Sequence, residues 1–213
     1  MTPHYPYELV WMTTEKHGTP HARALLAANP GLSIHVSSPP AGADGEAYFY
    51  GWRNCDRNIR AWWRANGAAV AKDEVIFLEY DVFCNMGLSA VLPPLARGVG
   101  AAGGRIMTAV ADRRTFWPFC EIHRLPLHLR SFAIGIAPLA FLQISRAALD
   151  DLCDPEYDAV FALDLFCELR LPTVIRRCGY NIMPLPLPGV GVRALHPRPE
   201  DRGIFHPVKH PVL

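Results

Sequence analysis

Glu79 and Asp81 stand two residues apart where the apolar run Val75-Ile76-Phe77-Leu78 gives out, in the stretch KDEVIFLEYDVFCN. Four apolar residues in succession are the pattern of a strand covered on both faces. Alternate side chains of a strand share a side, so the two carboxylates project together while Tyr80 points away. Two like charges beside a core repel, and a cation relieves them. Hard oxygen donors suit Mg²⁺ or Mn²⁺, and in an open parallel sheet ligands gather beyond the carboxyl ends of the strands. Pairing with arginine as the chain leaves the core is the other arrangement that satisfies these acids.

A second pair of acids, Asp164 and Glu168, lies four residues apart in what reads as a later helix. Like charges at that spacing repel by about 0.2–0.5 kcal/mol unless something compensates, with Arg170 and Arg176 the nearby candidates. Arg53, Arg57, Arg60 and Arg64 recur at helical spacing opposite a stripe of Trp52, Cys55, Ile59 and Trp62. Such a basic face is either solvated, with Asp56 and Arg60 as an i,i+4 pair, or a place where one arginine, Arg57 first, forks onto a phosphate.

The elements that must position these groups alternate strand and helix. Residues 7–13 read as a strand. Thr19-Pro20 is an N-cap followed by proline at the first helical position, and the helix runs to about Asn29, where Pro30-Gly31 ends it. LSIHVSS alternates as the next strand, so the first 38 residues form a β-α-β unit and imply a parallel sheet. SPPAGADGEA is a loop, and a second helix closes near Gly67 ahead of the acidic strand. RIMTAVA and FAIGIAPLAFLQI read as further strands. The aromatic, proline- and histidine-rich stretch 116–130 between them fits neither period and reads as a functional loop or lid, in which Trp117, Phe119 and His123 are rings that either stack on a ligand or pack. Ser145 caps the short helix RAALDDL, a longer helix runs from about Pro155 toward Gly179 with an interruption near Pro172, and YNIMPLPLP is extended.

Composition narrows the classes. The chain has 213 residues, half of them hydrophobic and 19% charged, which suits a single α/β domain with a sizeable core. A net charge of +1 argues against nucleic acid as a partner. The six cysteines form no C-x-x-C pair and read as reduced thiols, and no segment has the length or composition of a signal peptide or spanning helix, so the expected location is the cytoplasm, with a peripheral membrane contact in view.

An early β-α-β unit followed by an apolar strand ending in D-x-D or a variant resembles the nucleotide-sugar glycosyltransferases of the GT-A fold. LEYD is the variant here, with Glu79 at the first position, and ISRAAL, ELRLPTVIRRCGY and the terminal HPVKHP are similar to elements of the same family. The resemblance covers nearly the whole chain. It implies a Rossmann-like α/β fold with helices on both faces of a mostly parallel sheet, residues 1–85 forming the nucleotide half and 86–213 the acceptor half. It implies hexosyl-type transfer from a nucleotide-diphosphate sugar, through Mn²⁺ or Mg²⁺, to a hydroxyl of a glycan or other acceptor. Asp81 is then the principal metal ligand, His206 a further ligand from the tail, and Glu79 reaches the metal or the ribose. Lys209 contacts the diphosphate, Thr13, Thr14 and Glu15 the base or ribose, and Glu168, then Asp164, accepts the acceptor's proton. Another metal-dependent phosphate enzyme, a nucleotidyltransferase or phosphohydrolase, would use the same acids, and a non-catalytic nucleotide-binding relative would keep only the fold.

Overall fold

The computed structural model of the protein describes residues 5, 7–12, 19–32, 34–37, 47–79, 81–90, 92–185, 203–206 and 208. The expected β-α-β opening is present as β1 (Tyr7–Met12), α1 (Thr19–Ala28) and β2 (Ile34–Ser37), with β2 parallel to β1. Then follow α2 (Ala47–Asn66) and β3 (Glu74–Glu79), which carries the apolar run. The remaining elements are β4 (Phe83–Cys84), β5 (Val99–Gly103), β6 (Arg105–Thr108), α3 (Leu127–Arg130), β7 (Ile134–Ala137), β8 (Phe141–Ser145), α4 (Arg146–Leu152), α5 (Asp158–Phe161), α6 (Cys167–Arg177), β9 (Asn181–Pro184) and β10 (Ile204–Phe205).

Six strands form one sheet in the order β2-β1-β3-β8-β5-β9, in which β8 alone runs against the others. The fold is therefore α/β with a mostly parallel sheet. Period-two alternation sorts β3 between its two faces. Val75 and Phe77 join the core shared with α2, α4 and α6, whereas Ile76 and Leu78 join the core under α1. All four are fully buried, as a doubly covered strand requires.

Three sequence expectations need correction. FAIGIAPLAFLQI is two strands: β7 leaves the main sheet to pair with β6, and the chain turns at residues 138–140 before β8 enters it. RIMTAVA stops being a strand at Thr108, where a turn closes with the Asp112 N–H donating to Thr108 O at 2.8 Å. The late helix is three pieces: a 3-10 turn at Pro155–Tyr157, α5, and α6, separated by a bend over 162–166. Pro172 lies inside α6 without ending it.

β5, Val-Gly-Ala-Ala-Gly, had no legible pattern because its residues are small. Its smallness is a packing requirement: a Cβ on Gly100 would lie 2.6 Å from Cβ of Tyr180. The excursion from β6 to β7 has its own apolar cluster of Met107, Phe116, Phe119 and Leu125 with Leu165 and Leu169. Gly135 admits it, since a Cβ there would run into the Phe116 ring.

Candidate active site

β3 ends at Glu79, and the Val82 N–H donates to Glu79 O at 3.2 Å, so the chain turns at once. Asp81 therefore lies in that turn and not on the strand, which replaces strand alternation as the reason why the two acids converge. Two residues on, β4 pairs antiparallel with β10, Cys84 opposite Ile204 and Phe83 opposite Phe205. The tail is held further by the Val208 N–H donating to Asp81 O at 2.8 Å and the Gly203 N–H donating to Asn85 Oδ1 at 3.0 Å. His21 of α1 meets Val208 O at 2.7 Å.

This ladder delivers His206 to the acids. Its Nε2 lies 3.3 Å from Glu79 Oε2 and 3.3 Å from Asp81 Oδ1, and one donor atom from each of the three residues falls within 4.8 Å of the others. Asp81 is buried at 4% exposure; the Glu79 and His206 side chains retain 20% and 19%. Burial disfavours the imidazolium, but the hydrogen bonds and charges of Asp81 and Glu79 outweigh it and push His206 up to about 9.

Glu168 faces the same site from the first turn of α6. Burial pushes its carboxyl up to about 8, the Glu79 charge adds to the rise, and the backbone N–H of Leu139 and the charge of His206 oppose it. Leu139 sits just ahead of β8, whose Phe141 pairs with Leu78 of β3, and Ala140 O accepts from the Glu79 N–H at 2.9 Å. The ends of β3, β8 and α6 and the tail thus meet at one place.

Asp164 does not join Glu168 on a helical face. It lies in the bend before α6, its side chain 78% exposed, where Arg53 Nε donates to Oδ1 at 2.8 Å and Arg124 to Oδ2 at 3.0 Å. The Arg53 hydrogen bond, then both guanidinium charges, hold its carboxyl below the usual range.

The arginine stripe is turned largely onto protein, with Arg64 alone of the four exposed. Arg57 donates to the carbonyls of Phe161 at 2.7 Å and Leu163 at 3.0 Å, which accounts for the side chain expected to meet the nucleotide. Arg60 donates to Leu152 O at 2.7 Å and to Asp158, and Arg64 to Cys153 O and the same Asp158. The expected Asp56–Arg60 pair does not form. Asp56 instead meets Arg170 in a fully buried fork at 2.7 and 2.6 Å.

Thr13, Thr14, Glu15 and Lys209 lie outside the described residues. Phe119 is core, and Trp117 rests its ring 4.5 Å from that of Phe166, at the start of α6. His123 is exposed, its Nδ1 on Cys120 O at 2.8 Å. Sequence reasoning missed Glu121, which is buried, bonds Arg53 at 2.8 Å and accepts from the Phe166 N–H at 2.9 Å. It set no signal beyond being an acid in an otherwise apolar and basic stretch. All six cysteines are free, and Cys120 alone among them is exposed.

The donor set fits a divalent ion: two carboxylates and an imidazole offer three ligands and leave half of an octahedral ion's positions for water or phosphate oxygens.

No protein-family model matches this sequence, and no curated protein does. Solved structures match over most of its length, and they are glycosyltransferases. The galactosyltransferase LgtC, in complex with donor and acceptor sugar analogs, superimposes with a TM-score of 0.48 and 12% identity, over 83% of this chain and 72% of that one. The glycosyltransferase GlyE of Streptococcus pneumoniae TIGR4 gives 0.43 and 12%, over 84% of this chain and 45% of that one. Glucosyl-3-phosphoglycerate synthase of Mycobacterium tuberculosis, solved with Mn²⁺, uridine-diphosphate and phosphoglyceric acid, gives 0.41 and 14%, over 84% and 68%. The likeness is one of overall chain course.

Proposed function

We propose that the protein is a metal-dependent glycosyltransferase that moves a sugar from a nucleotide-diphosphate donor to an acceptor hydroxyl. The observation that carries this reading is the convergence of Glu79, Asp81 and His206 within 4.8 Å at the carboxyl end of β3, with Glu168 beside them. Mn²⁺ or Mg²⁺ held there would screen the charge that develops on the departing diphosphate. Asp81 is the principal ligand, His206 the ligand supplied by the tail, and Glu79 the ligand with the most freedom to turn toward a ribose. Lys209 would contact the diphosphate, and Thr13 and Thr14 the nucleoside.

Glu168 is the base that accepts the acceptor's proton. At about 8 its carboxyl is close to neutral pH, where a base both accepts and releases protons effectively; burial is the main cause of that rise, and a cation beside Glu79 would relieve the repulsion that adds to it. Asp164, tied to two arginines and exposed, is left a structural role. The free thiols suit a reducing compartment such as the cytoplasm, and no helix among the described residues is long and apolar enough to cross a membrane.

Thermal shifts with UDP, GDP and CMP and their sugar conjugates, with and without Mn²⁺, test the reading, because a ligand that binds the native state raises its apparent stability. One nucleotide should give a Mn²⁺-dependent shift that Asp81→Ala abolishes. Glu168→Gln should keep that shift and lower sugar transfer by about 10²–10⁴-fold. An Asp81→Ala protein that shifts like the wild type removes the metal assignment, and nucleotide turnover without sugar transfer makes this a phosphohydrolase or nucleotidyltransferase.

A further inference from the structure

Among the described residues five large hydrophobic side chains are exposed, and three of them come from the excursion between β6 and β7: Val110 at 97%, Trp117 at 46% and Leu127 at 78%. The same excursion exposes charge of one sign. Arg113, Arg114, Arg124 and Arg130 are exposed, as are His123 and His128, and Arg105 is exposed at the start of β6. Its two acids are turned inward: Asp112, 5% exposed, accepts from Arg105 at 2.7 Å and from the Thr108 N–H at 2.9 Å, and Glu121, 8% exposed, is held by Arg53 and the Phe166 N–H. Of the exposed acids that border the excursion, Asp164 is already bonded to Arg53 and Arg124, and Glu156 lines a pocket beside Pro126 and His128.

The 3-10 turn Trp117–Arg124 shows how the arrangement is built. At three residues per turn Trp117, Cys120 and His123 share one side, and all three are exposed, while Pro118, Phe119 and Glu121 are buried. A tryptophan, an aliphatic side chain in the turn after β6 and another at the start of α3 thus stand out of a surface on which arginines outnumber acids, Arg113 and Arg114 among them.

We propose that residues 110–130 are a membrane-docking surface that seats the protein on an anionic lipid bilayer. Arginines near such a surface are drawn to it electrostatically, the exposed aliphatic groups enter the headgroup boundary, and a tryptophan settles at that depth. A soluble polyanion would use the arginines but would leave Val110 and Leu127 in water, and the chain as a whole, at +1, has no general basic field. The surface adjoins the candidate active site, since Trp117 packs on Phe166 and Phe166 stands two residues before Glu168.

The test is sedimentation of the full chain with vesicles of phosphatidylcholine alone and of phosphatidylcholine mixed with phosphatidylglycerol, without nucleotide or metal, so that it is independent of the transferase reading. Binding to the mixed vesicles, released by added salt, is expected. Arg113→Ala/Arg114→Ala should lower the partition about thirty-fold, at roughly 1 kcal/mol for each charge. Val110→Asp/Leu127→Asp should abolish it with thermal unfolding unchanged, because these side chains are exposed in the free protein. A wild-type chain that stays in the supernatant with both vesicles overturns the proposal, as does an arginine double variant that sediments like the wild type. Undiminished sedimentation of the Asp variant also overturns it and points to a charge-only surface for polyanions such as nucleic acid.

Discussion

His206 holds its proton because two carboxylates face it, and a divalent ion would have to displace that proton. His206 is raised from 6.5 to about 9 in the folded chain, so its contribution to stability is complete below 6.5 and is lost as pH rises through 9. Glu168, raised from 4.5 to about 8, acts the same way: its protonated form suits the fold, and ionisation between 4.5 and 8 costs stability. The metal-free protein should therefore lose thermal stability between pH 6.5 and 9. Mn²⁺ should flatten or reverse that loss, because it replaces the proton between the carboxylates. Melting curves across this range check both statements; a metal-free midpoint that rises with pH would mean that the Glu79–Asp81–His206 cluster does not exist in solution.

Arginines seat the α2 helix alongside its buried Trp62 and Trp63. Arg53, Arg57, Arg60 and Arg64 take the acids and backbone carbonyls of the segment 152–164, groups that a broken helix leaves without intrahelical donors. Behind them the buried Asp56–Arg170 fork ties α2 to α6, with Arg170 also donating to Leu163 O at 2.6 Å. Removing one member of a buried pair strands the other, so Asp56→Ala should cost about 3–5 kcal/mol. Asp56→Leu with Arg170→Met should recover much of that loss, as apolar pairs of similar volume do. Denaturant melts of the single and double variants read this directly; a double variant no more stable than the single would assign Arg170 a further indispensable contact.

At the scale of the whole molecule the tail closes the site. β10, its ladder to β4 and the Val208–Asp81 hydrogen bond bring residue 206 beside residues 79 and 81 across more than half of the chain. Mn²⁺ added with the nucleotide it supports should therefore slow hydrogen exchange at the Val208 amide in the wild type and leave it unchanged in His206→Ala. Equal protection in both would detach the tail from the metal. Much of this molecule is legible in local pattern. The doubly buried β3, the β-α-β opening and the position of two acids where the apolar run gives out follow from apolar runs and a proline at a helix start, all set by near neighbours in the chain, whereas the turn that brings Asp81 beside Glu79 does not. Glu79, Asp81, His206 and Glu168 were named from type, spacing and resemblance. The reversal of β8, the bend that removes Asp164 from the face of Glu168, the use of the arginine stripe as a seam and the buried Glu121 and Arg170 were not legible. Each of these depends on a partner far away in sequence: a guanidinium reads as solvated until a carbonyl without its helical donor is laid against it, and a carboxylate's charge and proton are settled by what surrounds it after the chain has folded.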